Sequence, residues 1–297
     1  MQCTSKDTKL PSSELIKKHQ KTNLRNNQIL VSALVKSKKE QKHLFHNWLE
    51  FVSVEDHILE SVCRHEDIKE GEECQLCRFE KLIGLPHLPE MIFPFNRISI
   101  YFKGNLVIEF NAFDALKEVN KEQLPDFKVG PSTVWQNSRP ETLSKESQQP
   151  FDWTYTSNYK GTLGQKIKIE STNNVFINYE RLKRKDPIQF YSQIILYEDE
   201  LADNGCAQMM IRIRIMPDTW FVLCRFYLRV DHVMVRILDT RLYGEGENDE
   251  FMIREWTRKE ANYSQLNKET LNYILDPTEL SNHLPLIESE TSKIFYK

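Results

Sequence analysis

The most constraining feature of this sequence is a run of three alternating segments between residues 207 and 243. In the first segment, isoleucines alternate with arginines over residues 211–215, which is typical of a strand with one buried and one solvent-facing side. Residues 217–218 and 231–232 separate the three segments. Such short turns connect antiparallel neighbours, because a parallel return needs a dozen or more residues. The run therefore predicts an antiparallel meander at the centre of a sheet.

The meander contains six arginines, and an acidic run precedes it. Arginines can bind phosphate or nucleic acid, but the chain beyond residue 43 is net acidic, with 30 Lys and Arg against 40 Asp and Glu. Opposite charges on neighbouring strands stabilise a sheet by about 0.2–1 kcal/mol per pair. We expect Glu198, Asp199 and Glu200 to face Arg212, Arg214, Arg225 or Arg229 across the sheet, as the polar side of a scaffold, with general acid–base catalysis as the alternative. The arginines are Arg212, Arg214, Arg225, Arg229, Arg236 and Arg241.

Composition excludes several classes of protein. The mean hydropathy is −0.55, and no apolar run approaches the roughly 18 residues that a membrane-spanning helix needs. The first residues have no apolar segment of the secretory type. Six cysteines without dense spacing indicate a reduced compartment, the cytosol or the nucleus. Nine glycines without a phosphate-binding loop argue against a nucleotide enzyme.

The sequence divides into a basic extension and one domain. Residues 1–43 contain ten Lys and Arg against three Asp and Glu and no aromatic residue, which predicts a disordered segment. Residues 44–297 form the predicted domain. Within it, residues 63–77 form an acidic, cysteine-bearing insert and residues 137–150 a polar loop.

The remaining patterns predict more strands than helices, and hence a mostly β, α+β fold. Alternating apolar residues on both sides of Gly104 predict a hairpin. Asn111 is a suitable N-cap for a helix over residues 112–119. Further predicted elements are a helix over 177–185, strands over 166–170, 190–201 and 251–257, and at most short helices in the tail to Lys297.

One cysteine pattern has the spacing of a metal site. Cys63 and His65, followed by Cys74 and Cys77, supply four ligands of the types that hold zinc tetrahedrally. The second pair has a common zinc spacing, whereas the first does not. We favour incidental thiols in an acidic loop, keep zinc as the alternative, and expect no metal or other cofactor.

Other catalytic patterns are weak. The histidines are scattered, without the spacing of a metal centre, and the sequence contains no Gly-x-Ser-x-Gly motif. Cys224 falls on the apolar side of a strand, which predicts an inert core thiol. A metal-bound jelly roll or a carboxylate enzyme is the alternative class, and a nucleic-acid adaptor using residues 1–43 is another.

Polar and aromatic residues concentrate at two predicted strand ends, 239–243 and 254–257. Tyr, Trp and Arg are enriched in protein–protein interfaces and their hot spots. We therefore expect partner binding there, with strand-end packing as the alternative. The residues concerned are Asp239, Arg241, Tyr243 and Trp256.

Several ordered motifs between about residues 45 and 285 resemble one family, the TOR signalling pathway regulator-like (TIPRL) family. The extension 1–43 and the insert 63–77 lie outside the resemblance. The motifs are Leu88-Pro-Glu-Met-Ile-Phe93, Ile108-Glu-Phe-Asn-Ala-Phe-Asp-Ala-Leu116, Phe151-Asp-Trp-Thr-Tyr155, Tyr159-Lys-Gly-Thr-Leu163, Tyr197-Glu-Asp-Glu-Leu201, Arg212-Ile-Arg-Ile-Met-Pro217 and Asp239-Thr-Arg-Leu-Tyr243.

The resemblance implies a non-enzymatic regulator with two antiparallel sheets and a few peripheral helices. Its implied partner is the catalytic subunit of type 2A serine/threonine phosphatases, with type 4 and type 6 enzymes and a phosphatase-associated TOR pathway protein as further partners. It also implies a cytosolic protein, present in the nucleus as well, which we expect to be monomeric and to bind neither membrane nor nucleic acid.

The resemblance also implies partner-binding positions where motifs match. These are Asp114, Ile177, Ile237 and Trp256. Relatives can have Met at the position of Ile237 and Tyr at the position of Trp256. Ile237 and Trp256 therefore keep an apolar or aromatic contact, without a tyrosine hydroxyl.

Overall fold

The three predicted meander strands are present in the structure, a computed structural model that describes residues 38–60, 63, 74–122 and 152–297. They are β9 (Gly205–Ile215), β10 (Thr219–Val230) and β11 (Met234–Glu245). Successive strands pair antiparallel, so that the prediction of a meander is confirmed. Their length of 11 or 12 residues makes them the frame on which the other elements pack.

The meander lies in the middle of an eight-stranded antiparallel sheet, the large sheet. Its other strands are β3 (Met91–Ile92), β7 (Ile169–Ser171), β8 (Phe190–Asp199), β12 (Phe251–Asn262) and β13 (Leu286–Phe295). The strand order is β3-β8-β9-β10-β11-β12-β13-β7. The short strands β3 and β7 therefore form the two edges, and short edge strands limit pairing with other chains.

A second antiparallel sheet, the small sheet, has the order β1-β2-β4-β5-β6. Its strands are β1 (Lys39–Phe45), β2 (Leu49–Glu55), β4 (Arg97–Phe102), β5 (Asn105–Asn111) and β6 (Thr162–Leu163). The predicted hairpin around Gly104 is β4–β5, and both Lys103 and Gly104 have the positive φ that a tight hairpin turn needs. Two antiparallel sheets with a few helices confirm the predicted fold class.

The main core lies between the two sheets. We call the face of the large sheet that contacts the small sheet the inner face, and the opposite one the outer face. Trp220 of β10 packs edge-on against Phe51 of β2 with ring centroids 5.1 Å apart, and both are fully buried. Alternate β10 residues from Trp220 to Val230 are buried in this core. Each large apolar side chain stabilises the fold by about 1.5–3 kcal/mol through its burial.

The outer face is also covered, by elements from outside the sheets. At one end, Tyr227, Val235 and Ile237 pack in one cluster with residues of the C-terminal segment. This segment comprises the 3-10 turn Tyr263–Gln265, the helix α4 (Lys268–Asn272) with the residues after it, and the helix α5 (Pro277–His283). At the other end, the segment 175–182 covers Tyr243 and Ile253. This double coverage explains why apolar residues occur on both sides of β10 and β11.

The remaining helices are α1 (Gln75–Ile83), α2 (Ala112–Lys117) and α3 (Tyr179–Leu182). The predicted cap of α2 is confirmed, because the Asn111 side chain accepts a hydrogen bond from the backbone N–H of Asp114. The helix ends two residues earlier than predicted. The predicted helix over 177–185 is reduced to the single turn of α3, since residues 175–177 pack on the sheet instead.

The prediction of at most short helices in the tail to Lys297 is wrong, because the tail also contains the ten-residue strand β13. Only Ser292 and Ile294 of this strand are buried. A strand that is polar on both sides shows no alternation in its sequence, and pairing with β12 places it in the sheet. The strand predicted over residues 166–170 is also shorter and later than expected, and corresponds to β7 (Ile169–Ser171).

The described residues from Lys39 to Lys297 form one compact unit. The expected boundary at residue 44 is therefore too late, because residues 39–43 pair with β2 as part of β1. The rest of the predicted extension, residues 1–37, and the predicted loop 137–150 lie outside the described residues, as does most of the insert 63–77. Among the described residues, no helix has the length and apolar composition needed to cross a membrane.

Candidate partner-binding surface

The seven residues predicted to bind a partner fall into two groups, one on the outer face of the large sheet and one on its inner side, where the small sheet lies. One group lies on the outer face, where alternate β11 residues point away from the main core and Ile177 packs against Tyr243. It comprises Ile177, Ile237, Asp239, Arg241 and Tyr243. The second group comprises Asp114 and Trp256, which lie on either side of the residues 159–162 on the inner side.

A chain of ion pairs crosses the outer face, and we call its members Arg225, Asp239, Arg241 and Glu255 the ladder. The Arg225 guanidinium donates two hydrogen bonds of 2.7 Å to the two carboxylate oxygens of Asp239. Arg241 donates to Asp239 as well, and to Glu255 at 3.0 Å. The cross-strand register sets this pattern, because it places Arg225 opposite Asp239 and Arg241 opposite Glu255.

The ladder holds charges in the interior. Asp239 is 0% exposed and Arg225 5% exposed. Burial by itself raises the pKa of Asp239, but the facing Arg225, and then Arg241, outweigh it and lower that pKa. Bidentate Arg–carboxylate bonds of this kind fix both side chains. The ladder is therefore a rigid part of the outer face.

The segment 175–182 joins the ladder to an exposed apolar surface. Tyr179 donates a hydrogen bond of 2.9 Å to Glu255, while Ile177 is buried against Tyr243 and Ile253. Phe176, the residue before Ile177, is 67% exposed. Other large apolar side chains are exposed at this end of the large sheet. We call the set Phe176, Tyr179, Ile188 and Tyr191 the aromatic patch.

Arg214 connects the two sides of this patch. It lies opposite Tyr191 on β8 and opposite Phe221 on β10, which itself faces Tyr243. Its guanidinium donates a hydrogen bond of 3.2 Å to the carbonyl of Leu182, at the end of α3. The segment 175–182 is thereby bonded to the same end of the sheet that holds Tyr191.

Asp114 and Trp256 belong to a polar cluster on the inner side, which we call the rim: Asp114, Lys160, Trp256 and Glu290. Asp114 accepts hydrogen bonds from Thr162 at 2.7 Å and from Asn111 at 3.0 Å. The Lys160 ammonium lies 4.5 Å from the centre of the Trp256 ring and donates to Glu290 at 2.6 Å. The hydrogen bond from Lys160 lowers the pKa of Glu290. The rim thus combines a cation, two carboxylates and an indole.

Burial divides the predicted residues by what they can contact. Five of the seven are buried, and only Asp114 and Arg241 are partly accessible. The buried five can hold a binding surface in place, while their neighbours present it. Their role in partner binding stays a prediction. The five are Ile177, Ile237, Asp239, Tyr243 and Trp256.

The exposed members of these surfaces were missed by sequence reasoning. Phe176 and Tyr179 lie in a segment with little regular structure, where periodicity does not report exposure. Tyr191 had a usable signal, because it alternates with the buried residues Ser192 and Ile194 of β8. Lys160 had none, since its contact with Trp256 joins residues 96 positions apart.

The acidic run 198–200 does not face the arginines, so that expectation was wrong. Glu198 pairs with Gln208 and Asp199 with Ala207, because the end of β8 must lie opposite the start of β9 when a short turn joins them. Glu198 accepts a hydrogen bond of 2.7 Å from Gln208. Asp199 accepts from the backbone N–H groups of Leu201 at 2.7 Å and Glu90 at 3.0 Å. Burial raises the pKa of Asp199 to about 6, against the opposing effect of these donors.

The six arginines instead bond to other groups, and this agrees with a structural role. Arg229 forms an ion pair with Asp231 at 2.7 Å, and Arg236 with Glu260 at 2.6 Å. Arg212 donates to Gln193 and to Thr278 of α5. Together with the bonds of Arg214, Arg225 and Arg241, these contacts make the arginines part of the scaffold.

Two cysteine predictions have different outcomes. Cys224 is 2% exposed in the main core, and burial raises the pKa of its thiol, as expected for an inert core thiol. The thiols of Cys63, Cys74 and Cys77 all lie within 4.8 Å of one another. His65, the remaining residue of the considered zinc set, lies outside the described residues.

Comparison with known proteins gives matches over most of the chain. The sequence profile of the TIP41-like family matches residues 91–267. A TIP41-like protein of Caenorhabditis elegans is 43% identical over 269 residues, which cover 90% of this chain and 94% of the relative. The human TIP41-like protein is 41% identical over 72% of this chain and 79% of its own length.

A relative in Saccharomyces cerevisiae is named a type 2A phosphatase activator, TIP41. It is 39% identical over 246 residues, which cover 76% of this chain and 67% of the relative. These matches confirm the resemblance that the ordered motifs indicate.

Proposed function

Since this chain belongs to the TIP41-like family, we propose that it regulates type 2A-like serine/threonine phosphatases by binding their catalytic subunit. The observation that carries the proposal is the similarity to the yeast type 2A phosphatase activator, which extends over 76% of this chain. On this proposal the chain is a regulator without catalytic activity. Binding modulates the activity of the catalytic subunit or its assembly with other subunits.

The surroundings of the acidic residues support a binding role over catalysis. A general acid or base must be able to reach a substrate proton. Asp199 is 7% exposed, and both of its oxygens accept backbone N–H groups. Asp239 is fully buried between two arginines. The surroundings of these two carboxylates leave no approach for a substrate.

The aromatic patch is the surface that we assign to the phosphatase. Interface energy is concentrated in a few anchors, among which aromatic residues are enriched. Phe176 and Tyr191 are each more than half exposed, although large apolar groups are usually buried. The ladder beneath Tyr179 holds this surface, since Tyr179 donates to Glu255. The carboxylate of Asp114 belongs to the rim, on the other side of the large sheet, and we propose it as a separate charged contact that favours partners of opposite charge.

Family membership also motivates the proposed setting. We propose that the chain acts as a monomer in the cytosol and the nucleus, as part of TOR signalling. Type 4 and type 6 phosphatases are further proposed partners, together with a phosphatase-associated protein of that pathway. Nucleic acid is not among the proposed partners.

A binding measurement with paired variants tests the assignment. Ile177 and Trp256 are poor choices for substitution, because both are buried and their loss would disturb the fold. The double variant Phe176→Asp with Tyr191→Asp changes side chains that are 67% and 53% exposed. We expect its affinity for purified type 2A catalytic subunit to fall at least about 30-fold, corresponding to about 2 kcal/mol.

The matched control places two aspartates at the opposite end of the outer face. Leu275 and Leu286 are 74% and 55% exposed, and both lie near the C-terminal helices. Leu275→Asp with Leu286→Asp should bind as the unmodified chain does. Equal losses in the two double variants would show that the patch is not the binding surface. Failure of the unmodified chain to bind any type 2A-like catalytic subunit would refute the proposed function.

A further inference from the structure

Three thiols converge in front of helix α1. The sulfur of Cys63 lies 3.3 Å from that of Cys77 and 3.9 Å from that of Cys74. All three sulfurs lie within 4.8 Å of one another, and each residue is partly accessible. Cys63 is 11 positions from Cys74 in the sequence, so this convergence results from the fold.

We propose that Cys63, Cys74 and Cys77 bind a zinc ion. Zinc in proteins is tetrahedral, with zinc–sulfur bonds of about 2.3 Å, and this geometry separates neighbouring sulfurs by about 3.8 Å. The separations of 3.3 and 3.9 Å lie close to that value. Closing the ion between the thiolates therefore requires only small side-chain movements. The three thiolates supply three of the four ligands of the tetrahedron.

The backbone around the site explains how two of the ligands are placed. Cys74 immediately precedes α1 and Cys77 lies in its first turn. Residues three apart in a helical turn lie on the same side, so that both sulfurs can face one point. The helix is fixed in turn by its buried residues Phe79 and Ile83. Two ligands are thus held by a packed helix before the ion arrives.

A disulfide accounts less well for the three cysteines. A disulfide has a sulfur–sulfur distance of about 2.05 Å and uses two cysteines, which leaves the third without a role. Here all three are free thiols. Thiolate ligands favour zinc over hard cations such as magnesium and calcium. The chemistry of the donor set therefore points to a thiophilic divalent ion.

The ion would connect Cys63 to helix α1. Cys63 is the one described residue between 61 and 73, whereas α1 packs on α2 through Phe79 and Phe113, with ring centroids 5.4 Å apart. Asp114 of the rim follows Phe113 directly. Zinc would therefore tether the chain at Cys63 to the helix pair that positions Asp114. The inference is independent of the proposed phosphatase binding.

Metal analysis of the full chain tests the site. The reduced protein is stripped with a chelator, loaded with zinc chloride, dialysed and analysed for zinc by mass spectrometry. We expect about one equivalent in the unmodified chain and less than about a fifth of an equivalent in Cys63→Ser and in Cys77→Ser. The matched control is Cys206→Ser, a partly accessible free cysteine outside the cluster, which should retain the full equivalent.

A spectroscopic readout keeps the result independent of folding defects in the variants. Loading the unmodified chain with cobalt should give the intense absorption of tetrahedral thiolate coordination, and zinc should displace it. Circular dichroism then establishes that each serine variant is folded. Zinc content unchanged in the folded Cys63→Ser and Cys77→Ser variants would overturn the proposal. Retention of no zinc or cobalt by the unmodified reduced chain would do so too.

Discussion

Asp239 and Asp199 are both buried in the large sheet, but their electrostatic surroundings are opposite. Asp239, at the centre of the outer face, contacts the guanidinium groups of Arg225 and Arg241. Asp199, at the end of β8, accepts two backbone N–H groups, and no ion pair joins it to a cation within the described part of the chain. The pKa of Asp239 is lowered, whereas burial raises the pKa of Asp199 to about 6.

This difference shows that burial alone does not determine what a carboxylate contributes. A cation within hydrogen-bonding distance favours the charged form, and desolvation opposes it. At Asp239 the cations outweigh desolvation, so that the charge stabilises the fold. At Asp199 desolvation outweighs the N–H donors, so that the neutral form is favoured. The two residues should therefore respond to substitution and to pH in different ways.

The largest expected effect is the loss of the charge of Asp239. Asp239→Asn keeps the shape of the side chain but leaves the buried Arg225 without its carboxylate. Breaking one partner of a buried ion pair costs about 3–5 kcal/mol. We expect the free energy of unfolding, measured with urea at pH 7, to fall by that amount.

A more exposed ion pair, between β10 and the turn that follows it, provides the control. Asp231→Asn removes the partner of Arg229, but Asp231 is 39% exposed, so that the loss should stay below about 1 kcal/mol. Because the folded-state pKa of Asp239 is lowered, its contribution is present above the unfolded pKa of about 3.9 and is lost as pH falls through the folded value. Similar losses in the two variants would contradict the ladder as a stabilising element.

The next largest effect concerns the pH dependence that Asp199 produces. Its folded-state pKa of about 6 lies above the unfolded value, so that its stabilising contribution is complete below about pH 4 and is lost as pH rises through 6. Asp199→Asn does not titrate. Between pH 4 and pH 7 the unmodified chain should therefore lose up to about 3 kcal/mol of stability relative to this variant.

The control for this measurement is Asp203→Asn, in the turn after β8. Asp203 is exposed, and its backbone has a positive φ of 63° that asparagine accepts readily. The free energy of unfolding of the Asp203→Asn variant should change with pH in parallel with that of the unmodified chain. If the curve of Asp199→Asn is equally parallel, Asp199 does not have the raised pKa on which the comparison depends.

The scaffold around both residues could be predicted from the sequence, because its signal is local. Alternation from Trp220 to Val230 requires one buried side, and the short turns at 217–218 and 231–232 require antiparallel neighbours. The cap at Asn111 was predictable for the same reason, since its hydrogen bond spans three residues.

The contacts of the charged residues were predicted less well, because they depend on register and on distant segments. The bonds of Arg225 to Asp239 follow from the β10–β11 register, which a list of strands does not contain. Exposure of Phe176 depends on how the segment 175–182 lies on the sheet. The strand β13 was not predicted because its pairing with β12, and not an alternation in its own sequence, makes it a strand.

The smallest expected effect on stability concerns Glu290 of the rim. Unlike Asp239 and Asp199, this carboxylate is paired with a cation but exposed. It accepts from Lys160 at 2.6 Å, and the two side chains are 41% and 28% exposed. Exposed pairs contribute about 0.2–1 kcal/mol, and salt screens them. Glu290→Gln should therefore lower the free energy of unfolding by less than about 1 kcal/mol at low salt.

The salt dependence distinguishes this pair from the ladder. In about 1 M sodium chloride the Debye length is near 3 Å, so that the difference between Glu290→Gln and the unmodified chain should largely disappear. The difference caused by Asp239→Asn should persist, because its partners are buried and screened much less. Persistence of the Glu290→Gln effect in high salt would place the rim pair with the buried ladder, and would mean that burial around Trp256 excludes solvent ions from it.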